Sequence, residues 1–290
     1  MFAPDANPMA YTVEEIDRQY NARASVPDCL PFLQEYVDSS VVARQQVHGE
    51  LSVPYGSHQD ETLDIFPAAL AGAPVFVFIH GGYWRALSKD DSSFMAPAFT
   101  AAGATVVTVN YSLAPAVTLP HIVDQCRRAL AWVYKHIDRY HGDASRIHVS
   151  GSSAGGHLAG MLVARGWQAA LDVPDDIVHS ASPISGLFDL RPLLHTHINA
   201  WAQLDAQLAQ SMSPIFHLPR QGGCPLLVAW GEHETDEFKR QSQMYASAWR
   251  DQEYPVRVLE VPGANHFNIL MDLQDSHSAL SGSILELMGL

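Results

Sequence analysis

Arg146-Ile147-His148-Val149-Ser150-Gly151-Ser152-Ser153-Ala154-Gly155-Gly156-His157 decides the reading of this chain. It begins as a short β-branched strand, tightens into a turn with glycines on both sides of a serine, and continues as a helix over Leu158 to Val163. Gly151-Ser152-Ser153-Ala154-Gly155 fits G-x-S-x-G. A serine hydroxyl attacks a carbonyl only when a strained turn lifts it clear of the sheet. The flanking positions must be nearly side-chain-free for strand and helix to approach each other. The same turn leaves the Ala154 N–H at a helix N-terminus, where the partial positive charge can receive an oxyanion. Ordinary loops match such a pentapeptide too, so the rest of the chain has to support it.

On both sides the pattern is strand, helix, strand. Pro74-Val75-Phe76-Val77-Phe78-Ile79 is a continuous apolar run, the mark of a strand buried on both faces. Thr105 to Tyr111 reads as a strand. Ile122, Val123, Cys126, Leu130, Val133 and Ile137 then recur at three- and four-residue intervals as an amphipathic helix, with Arg127, Arg128 and Lys135 outside. Asp176 to Ser180 and Pro225 to Trp230 are further buried strands, Val256 to Val261 alternates, and Ser278 to Met288 is a closing helix. Alternating βα units with apolar strands predict an α/β fold: a mostly parallel central sheet of about eight strands covered by helices on both faces.

Two segments depart from the alternation. Residues 1–45 read as a mostly helical lead-in, with Thr12 as N-cap and Glu15 three residues on, and a second short helix over Pro31 to Val37. Val47 to Val53 and Thr62 to Phe66 follow as an antiparallel edge, parted by the turn signal Pro54-Tyr55-Gly56. Gly186 to Arg220, with Pro192, Pro214 and Pro219 around a helical piece (Ile198 to Ala209), is too long for a βα loop. It is expected as a cap-like insertion over the C-terminal edge of the sheet, where open α/β sheets bind ligands. Neither repeat nor linker divides the chain, so 1–290 is read as one domain.

Composition narrows the function classes. Apolar residues make up 47% and charged ones 17% of 290 residues, which suits a globular protein with ample core. A formal net charge of −14 and the lack of a basic run argue against nucleic acid, which needs a basic face for counterion release. Met1 to Ala10 lacks a signal pattern, and no window approaches the ~18 apolar residues of a membrane span. Cys29, Cys126 and Cys224 are odd in number and widely spaced, as for buried free thiols in a reducing compartment. A soluble cytoplasmic protein is expected, with a small-molecule partner and a homodimer left open.

His80-Gly81-Gly82-Tyr83-Trp84 follows the buried Phe76–Ile79 run directly. Two glycines at a strand end let the backbone turn its N–H groups toward one point. With the Ala154 N–H, those of Gly81 and Gly82 would form an oxyanion hole. A serine nucleophile also needs a base, and the base an orienting carboxylate. Of fifteen histidines, His266 stands out: it follows the last strand in Val261-Pro262-Gly263-Ala264-Asn265-His266-Phe267, on the edge that presents Ser153. His136, His141 and His148 read as helix or strand positions, His195, His197 and His217 belong to the insertion, and His157 reads as structural. The acid belongs after the penultimate strand, in Gly231-Glu232-His233-Glu234-Thr235-Asp236-Glu237-Phe238, where Glu234, Glu232 and Asp236 all compete. That loop lacks a metal-ligand spacing such as H-E-x-x-H, so neither metal nor other cofactor is expected.

His80-Gly81-Gly82-Tyr83-Trp84, Tyr111-Ser112-Leu113-Ala114-Pro115, the Gly151–His157 turn, Glu237-Phe238 with Arg240-Gln241-Ser242, and Asn265-His266-Phe267 together resemble the serine-dependent kynurenine formamidase (arylformamidase) group. Its members are relatives of hormone-sensitive-lipase-type esterases within the α/β-hydrolase fold. The similarity runs from about Tyr20 to the C-terminus and includes Tyr20-Asn21 and Val26-Pro27-Asp28. The resemblance implies Ser153 as nucleophile, His266 as base and Glu234 as acid. It departs from the group's pattern at Glu234, where aspartate is common, and at Ser152, where histidine is frequent.

On that reading Ser153 acts through an acyl-enzyme, and activity falls as pH drops through the ordinary imidazole range, ~6–7. Tyr83 and Trp84 either narrow the acyl side of the pocket or pack the core, and Trp201 in the insertion would line the leaving-group side. A general short-chain carboxylesterase is the alternative, because a triad does not distinguish C–N from C–O cleavage. A catalytically silent receptor on the same fold is the remote one.

Overall fold

The run Ala73–Ile79 (β3) is buried throughout. Phe76 and Phe78 join one core layer with Phe94 and Phe99, while Val75, Val77 and Ile79 join another with Val107, Val149 and Leu158. Each such side chain contributes ~1.5–3 kcal/mol by leaving water, so a strand apolar on both faces requires a layer on each side. The computed structural model describes residues 11–290; Met1 to Ala10, where a signal pattern is not expected, lie outside the described residues. The other strands are β1 (Glu50–Pro54), β2 (Thr62–Phe66), β4 (Thr105–Val109), β5 (Gly142–Ser152), β6 (Ser180–Ile184), β7 (Leu226–Gly231) and β8 (Val256–Val261). They form one eight-stranded sheet in the order β1-β2-β4-β3-β5-β6-β7-β8. The pairs β1–β2 and β2–β4 are antiparallel, and the rest are parallel.

The helices are α1 (Val13–Tyr20), α2 (Leu30–Gln46), α3 (Ala96–Ala101), α4 (Leu119–His136), α5 (Ala154–Val163), α6 (Asn199–Ala202), α7 (Ala206–Ser211), α8 (Asp236–Asp251) and α9 (Ala279–Met288). Buried residues of α4, α5 and α8 belong to the valine layer, and those of α3 and α9 to the phenylalanine layer. This is the α/β-hydrolase architecture. The capping box at α1 forms as its spacing predicts: Thr12 Oγ1 accepts the Glu15 N–H, and the Glu15 carboxylate accepts the Thr12 N–H.

Several boundaries differ from expectation: the strand expected from Val47 begins at Glu50, because the Val47 N–H still bonds the Ala43 carbonyl at the end of α2, and three further segments depart more. The second lead-in helix does not stop at Val37 but continues to Gln46, because residues 38–46 hold neither glycine nor proline; Ser40 then accepts the Ser93 N–H at 3.0 Å. The strand expected over Asp176 to Ser180 begins where that stretch ends. A turn bonds the Ile177 N–H to the Pro174 carbonyl and keeps Asp175 and Asp176 exposed. The helical piece expected over Ile198 to Ala209 is two helices, α6 and α7. Asn199 holds Leu204 through both the N–H and the carbonyl, Gln203 takes φ 51°, and Asp205 caps α7 by accepting the Leu208 N–H at 2.7 Å. Cys29 and Cys126 are buried, Cys224 is half-buried, and all three are free thiols. Among the described residues no helix is long and apolar enough to cross a membrane.

Candidate active site

Strand register gathers the site. Ile79 pairs with Gly151, Ser152 with Ile184, Ile184 with Ala229, and Gly231 with Val261. The segments that follow β3, β5, β6, β7 and β8 therefore leave along one edge, carrying His80–Trp84, Ser153, Ser185, Glu234 and His266. The order β4-β3-β5 places the topological switch point between β3 and β5, beside Ser153.

Ser153 is held at φ 57°, ψ −116°, a conformation that costs a non-glycine residue ~1–3 kcal/mol. Its N–H donates to the Ile184 carbonyl at 2.9 Å, and its carbonyl accepts the His157 N–H at 3.0 Å. The turn closes because Gly155 lacks a Cβ; one there would overlap the Ile79 carbonyl oxygen. Gly81 also lies close to the turn, since a Cβ on it would sit 2.7 Å from the Ser152 carbonyl oxygen and 3.4 Å from Ser153 Cβ. Among the described residues the N–H groups of Gly81, Gly82 and Ala154 have no hydrogen-bond acceptor. Ala154 opens the ten-residue α5, so its amide carries the positive end of the helix dipole.

Of the three acids the pattern left open, Glu234 is the one at His266. Its Oε2 accepts the His266 Nδ1–H at 2.7 Å, and its Oε1 accepts the Gly231 N–H at 2.7 Å and the Ser185 hydroxyl at 2.5 Å. Glu232 is exposed and accepts the Gly263 N–H, and Asp236 is exposed in the first turn of α8. With Nδ1 committed to the carboxylate, His266 has Nε2 left for proton transfer. Ser153, Glu234 and His266 are each only 7% exposed. The Phe238 ring lies 4.3 Å from the imidazole, and the Tyr36 phenol donates to the Phe267 carbonyl at 2.6 Å.

The three aromatic residues expected at the substrate differ in setting. Trp84 is 1% exposed; its indole N–H donates to His157 Nδ1 at 3.2 Å, so in this structure it packs the core. Tyr83 is half-buried, and its hydroxyl donates to the Tyr20 carbonyl at 2.6 Å. Burial, then the charges of Glu234 and Asp17, push its phenol well above the usual range. Trp201, also half-buried, donates to the Tyr83 carbonyl at 3.0 Å, tying α6 to the loop after β3; the Arg85 guanidinium lies 4.5 Å over its ring. Gly82, Tyr83, Trp84 and Leu87 all take positive φ, so this loop is held in an uncommon shape.

The lead-in also reaches the site. Tyr20 donates to Glu237 at 2.6 Å and accepts from Gln241 at 2.7 Å. Gln241 in turn accepts the Phe188 and Asp189 N–H groups, and Arg240 grips Glu237 through two bonds. Sequence reasoning passes over Ser185 and Tyr36, and it places Tyr20, Glu237, Arg240 and Gln241 in the resembling motifs without showing that they meet. The one local signal was Ser185-Gly186, a turn dipeptide at a strand end. Among the described residues no group of His, Cys, Asp and Glu could hold a metal ion. A surface cleft of about 300 Å³ between α2 and residues 94–97 shares no residue with the site.

Comparison with known proteins agrees with this architecture. A family model described as BD-FAE matches residues 63–183. The kynurenine formamidase of Salmo salar is 31% identical over 95% of this chain and 96% of its own. Esterase LipQ of Mycobacterium tuberculosis is 31% identical over 74% of this chain and 56% of its own. A crystal structure from Silicibacter sp. superposes with a TM-score of 0.81 at 28% identity, covering 93% of this chain and 98% of that one. An esterase of Pyrobaculum calidifontis has the same fold, with a TM-score of 0.70 at 19% identity over 96% of this chain and 97% of that one.

Proposed function

The chain belongs to the kynurenine formamidase family, and from that premise we propose that it hydrolyses aryl formamides through an acyl-enzyme on Ser153. It is a hydrolase of the arylformamidase or carboxylesterase type. What carries the acyl-enzyme reading is the Glu234–His266 pair on the same sheet edge as the strained Ser153, beside three amides without acceptors; the formamide preference is supported by the similarity to the kynurenine formamidase of Salmo salar.

In the proposed reaction His266 Nε2 takes the Ser153 proton as Oγ bonds to the formyl carbon. The carbonyl electrons move onto oxygen, which the N–H groups of Gly81, Gly82 and Ala154 receive. One such donor is typically worth ~3 kcal/mol of barrier. The C–N bond then breaks, and the imidazolium gives its proton to the leaving arylamine. Water attacks the formyl-serine as His266 takes one of its protons; collapse passes that proton to Ser153 and releases formic acid, which ionises to formate in solvent. Glu234 holds the tautomer throughout and stays ionised.

Tyr83 is the acyl-side wall in this reading, with Trp84 supporting it from beneath. Residues 186–220 act as a cap on the leaving-group side through Trp201. The reading extends to one catalytic domain working in the cytoplasm without a cofactor. A general short-chain carboxylesterase is the second reading, favoured by the similarity to esterase LipQ.

Purified protein given N-formylkynurenine and p-nitrophenyl acetate separates the two. A formamidase has the larger kcat/KM on the formamide, and turnover falls from formyl and acetyl to butyryl and octanoyl groups. Equal rates on long acyl chains would remove the narrow acyl wall, and full activity in Ser153→Ala would remove the mechanism.

A further inference from the structure

Ser185 is the first residue after β6, and the chain makes an uncommon turn to present it. Its N–H still donates to the Ala229 carbonyl at 2.8 Å, extending the β6–β7 pairing, yet its φ is +50°. Serine is not among the residues that favour this region; glycine would sit there without cost and asparagine or aspartate at little. A strained residue with no exposed surface calls for a compensating contact. That contact is the 2.5 Å bond from its hydroxyl to Glu234 Oε1.

The Gly231 N–H donates to the same oxygen at 2.7 Å, which leaves Oε2 for His266 Nδ1. A carboxylate with one oxygen held by two donors cannot rotate without breaking both bonds. The bonds also draw charge away from the imidazole. From the proposed catalytic assignment above, we propose that Ser185 is a positioning residue of this hydrolase: its hydroxyl fixes the Glu234 carboxylate and moderates its charge toward His266.

Other groups around the pair do not substitute for it. Tyr83, after β3, and Tyr36, on α2, face Glu234 as neutral phenols: burial raises both, followed by Glu234 and Asp17 for Tyr83 and by Glu35 and Glu234 for Tyr36. From α8, Phe238 offers His266 an apolar ring. Removing the hydroxyl should therefore leave the carboxylate anchored by Gly231 alone, more basic, and more strongly attracting the imidazolium.

The experiment is steady-state hydrolysis of p-nitrophenyl acetate by the full chain from about pH 5 to pH 9, for the parent protein, Ser185→Ala and Ser185→Gly. Glycine accepts a φ of +50° freely, so Ser185→Gly removes the hydroxyl without backbone strain even where Ser185→Ala folds poorly. Both variants should lose roughly tenfold in kcat with KM within about twofold. The acid limb of the profile should move to higher pH by roughly half a unit. An acid limb at or below that of the parent, or an unchanged kcat, in the folded Ser185→Gly protein would overturn the proposal. Ser153→Ala, run alongside, tests the hydrolase reading separately: an active Ser153→Ala sinks that reading, whereas an inactive one with unmoved Ser185 profiles sinks only the role of Ser185.

Discussion

The indole N–H of Trp84 donates to Nδ1 of His157 at 3.2 Å, and the other ring nitrogen of His157 donates to the Met212 carbonyl at 2.7 Å. One buried imidazole thus ties the loop after β3, the helix that follows Ser153 and the end of α7. Indole can only donate and a carbonyl only accept, so the tautomer is fixed and the ring is neutral. Burial agrees, lowering its pKa to about 4.

Replacing His157 with phenylalanine should therefore do more than remove a ring contact. It leaves the Trp84 N–H and the Met212 carbonyl without these partners, at ~1–3 kcal/mol of stability each. Trp84→Phe removes one donor and is expected to be milder. Both changes loosen the loop that holds Gly81 and Gly82, so kcat should fall more than KM rises. A variant that melts lower yet keeps the parent kcat would confine His157 to stability.

A second consequence concerns acid. Burial lowers His80 and His157 to about 4 and His148 to about 3, against ~6.5 for an ordinary imidazole. The folded protein keeps these rings neutral while the unfolded chain protonates them. Their contribution to stability is full above about pH 6.5 and is lost as pH falls toward 4. Each contributes a slope of up to ~1.4 kcal/mol per pH unit, so unfolding in urea should become several kcal/mol easier between about pH 7 and pH 5. A flat stability profile over that interval would mean that the rings are not buried as neutral species.

What the sequence could reveal follows from where each feature is encoded. The strand-turn-helix at Ser153 and the glycines at 81, 82 and 155 are local: a backbone that must approach another within van der Waals contact tolerates few residues, and those residues are visible. The Phe76–Ile79 run announces a doubly covered strand for the same reason. Glu234 could not be chosen from Glu232 and Asp236 by pattern, because loop shape decides which carboxylate turns toward His266. That shape depends on Ser185, 49 positions upstream. Tyr36 and Phe267 are 231 positions apart, and their contact leaves no local trace. The misjudged boundaries are similar. Residues 38–46 carry weak helical patterning alone, and Ser40 and Ala43 complete the turn by burial.

Tyr36 supports a third prediction. Its hydroxyl is the partner of the main-chain carbonyl next to His266, and the bond is buried at 2.6 Å. Tyr36→Phe leaves that carbonyl without its hydrogen and should cost ~1–2 kcal/mol of stability. Because the carbonyl belongs to the loop that carries His266, the proposed base, kcat should also fall, by roughly three- to tenfold. Parent-like kinetics in a destabilised Tyr36→Phe protein would separate the lead-in from the chemistry.

The most discriminating substitutions are at Glu234 itself. Glu234→Gln keeps the length and can still accept from Ser185 and Gly231 through its carbonyl oxygen. That orientation turns the amide nitrogen toward His266 Nδ1. Two donors then meet unless the ring changes tautomer, and the changed tautomer puts a proton on Nε2, where the base must be free. The loss in kcat should be on the order of 10³–10⁴. Glu234→Asp keeps the charge but is one methylene short, so it cannot reach His266, Gly231 and Ser185 together. If charge and tautomer matter more than the two anchoring bonds, Glu234→Asp retains far more activity than Glu234→Gln, within about a hundredfold of the parent. The reverse ranking, measured on one ester at one pH above neutrality, would mean that Glu234 serves the site by filling space and not by orienting His266.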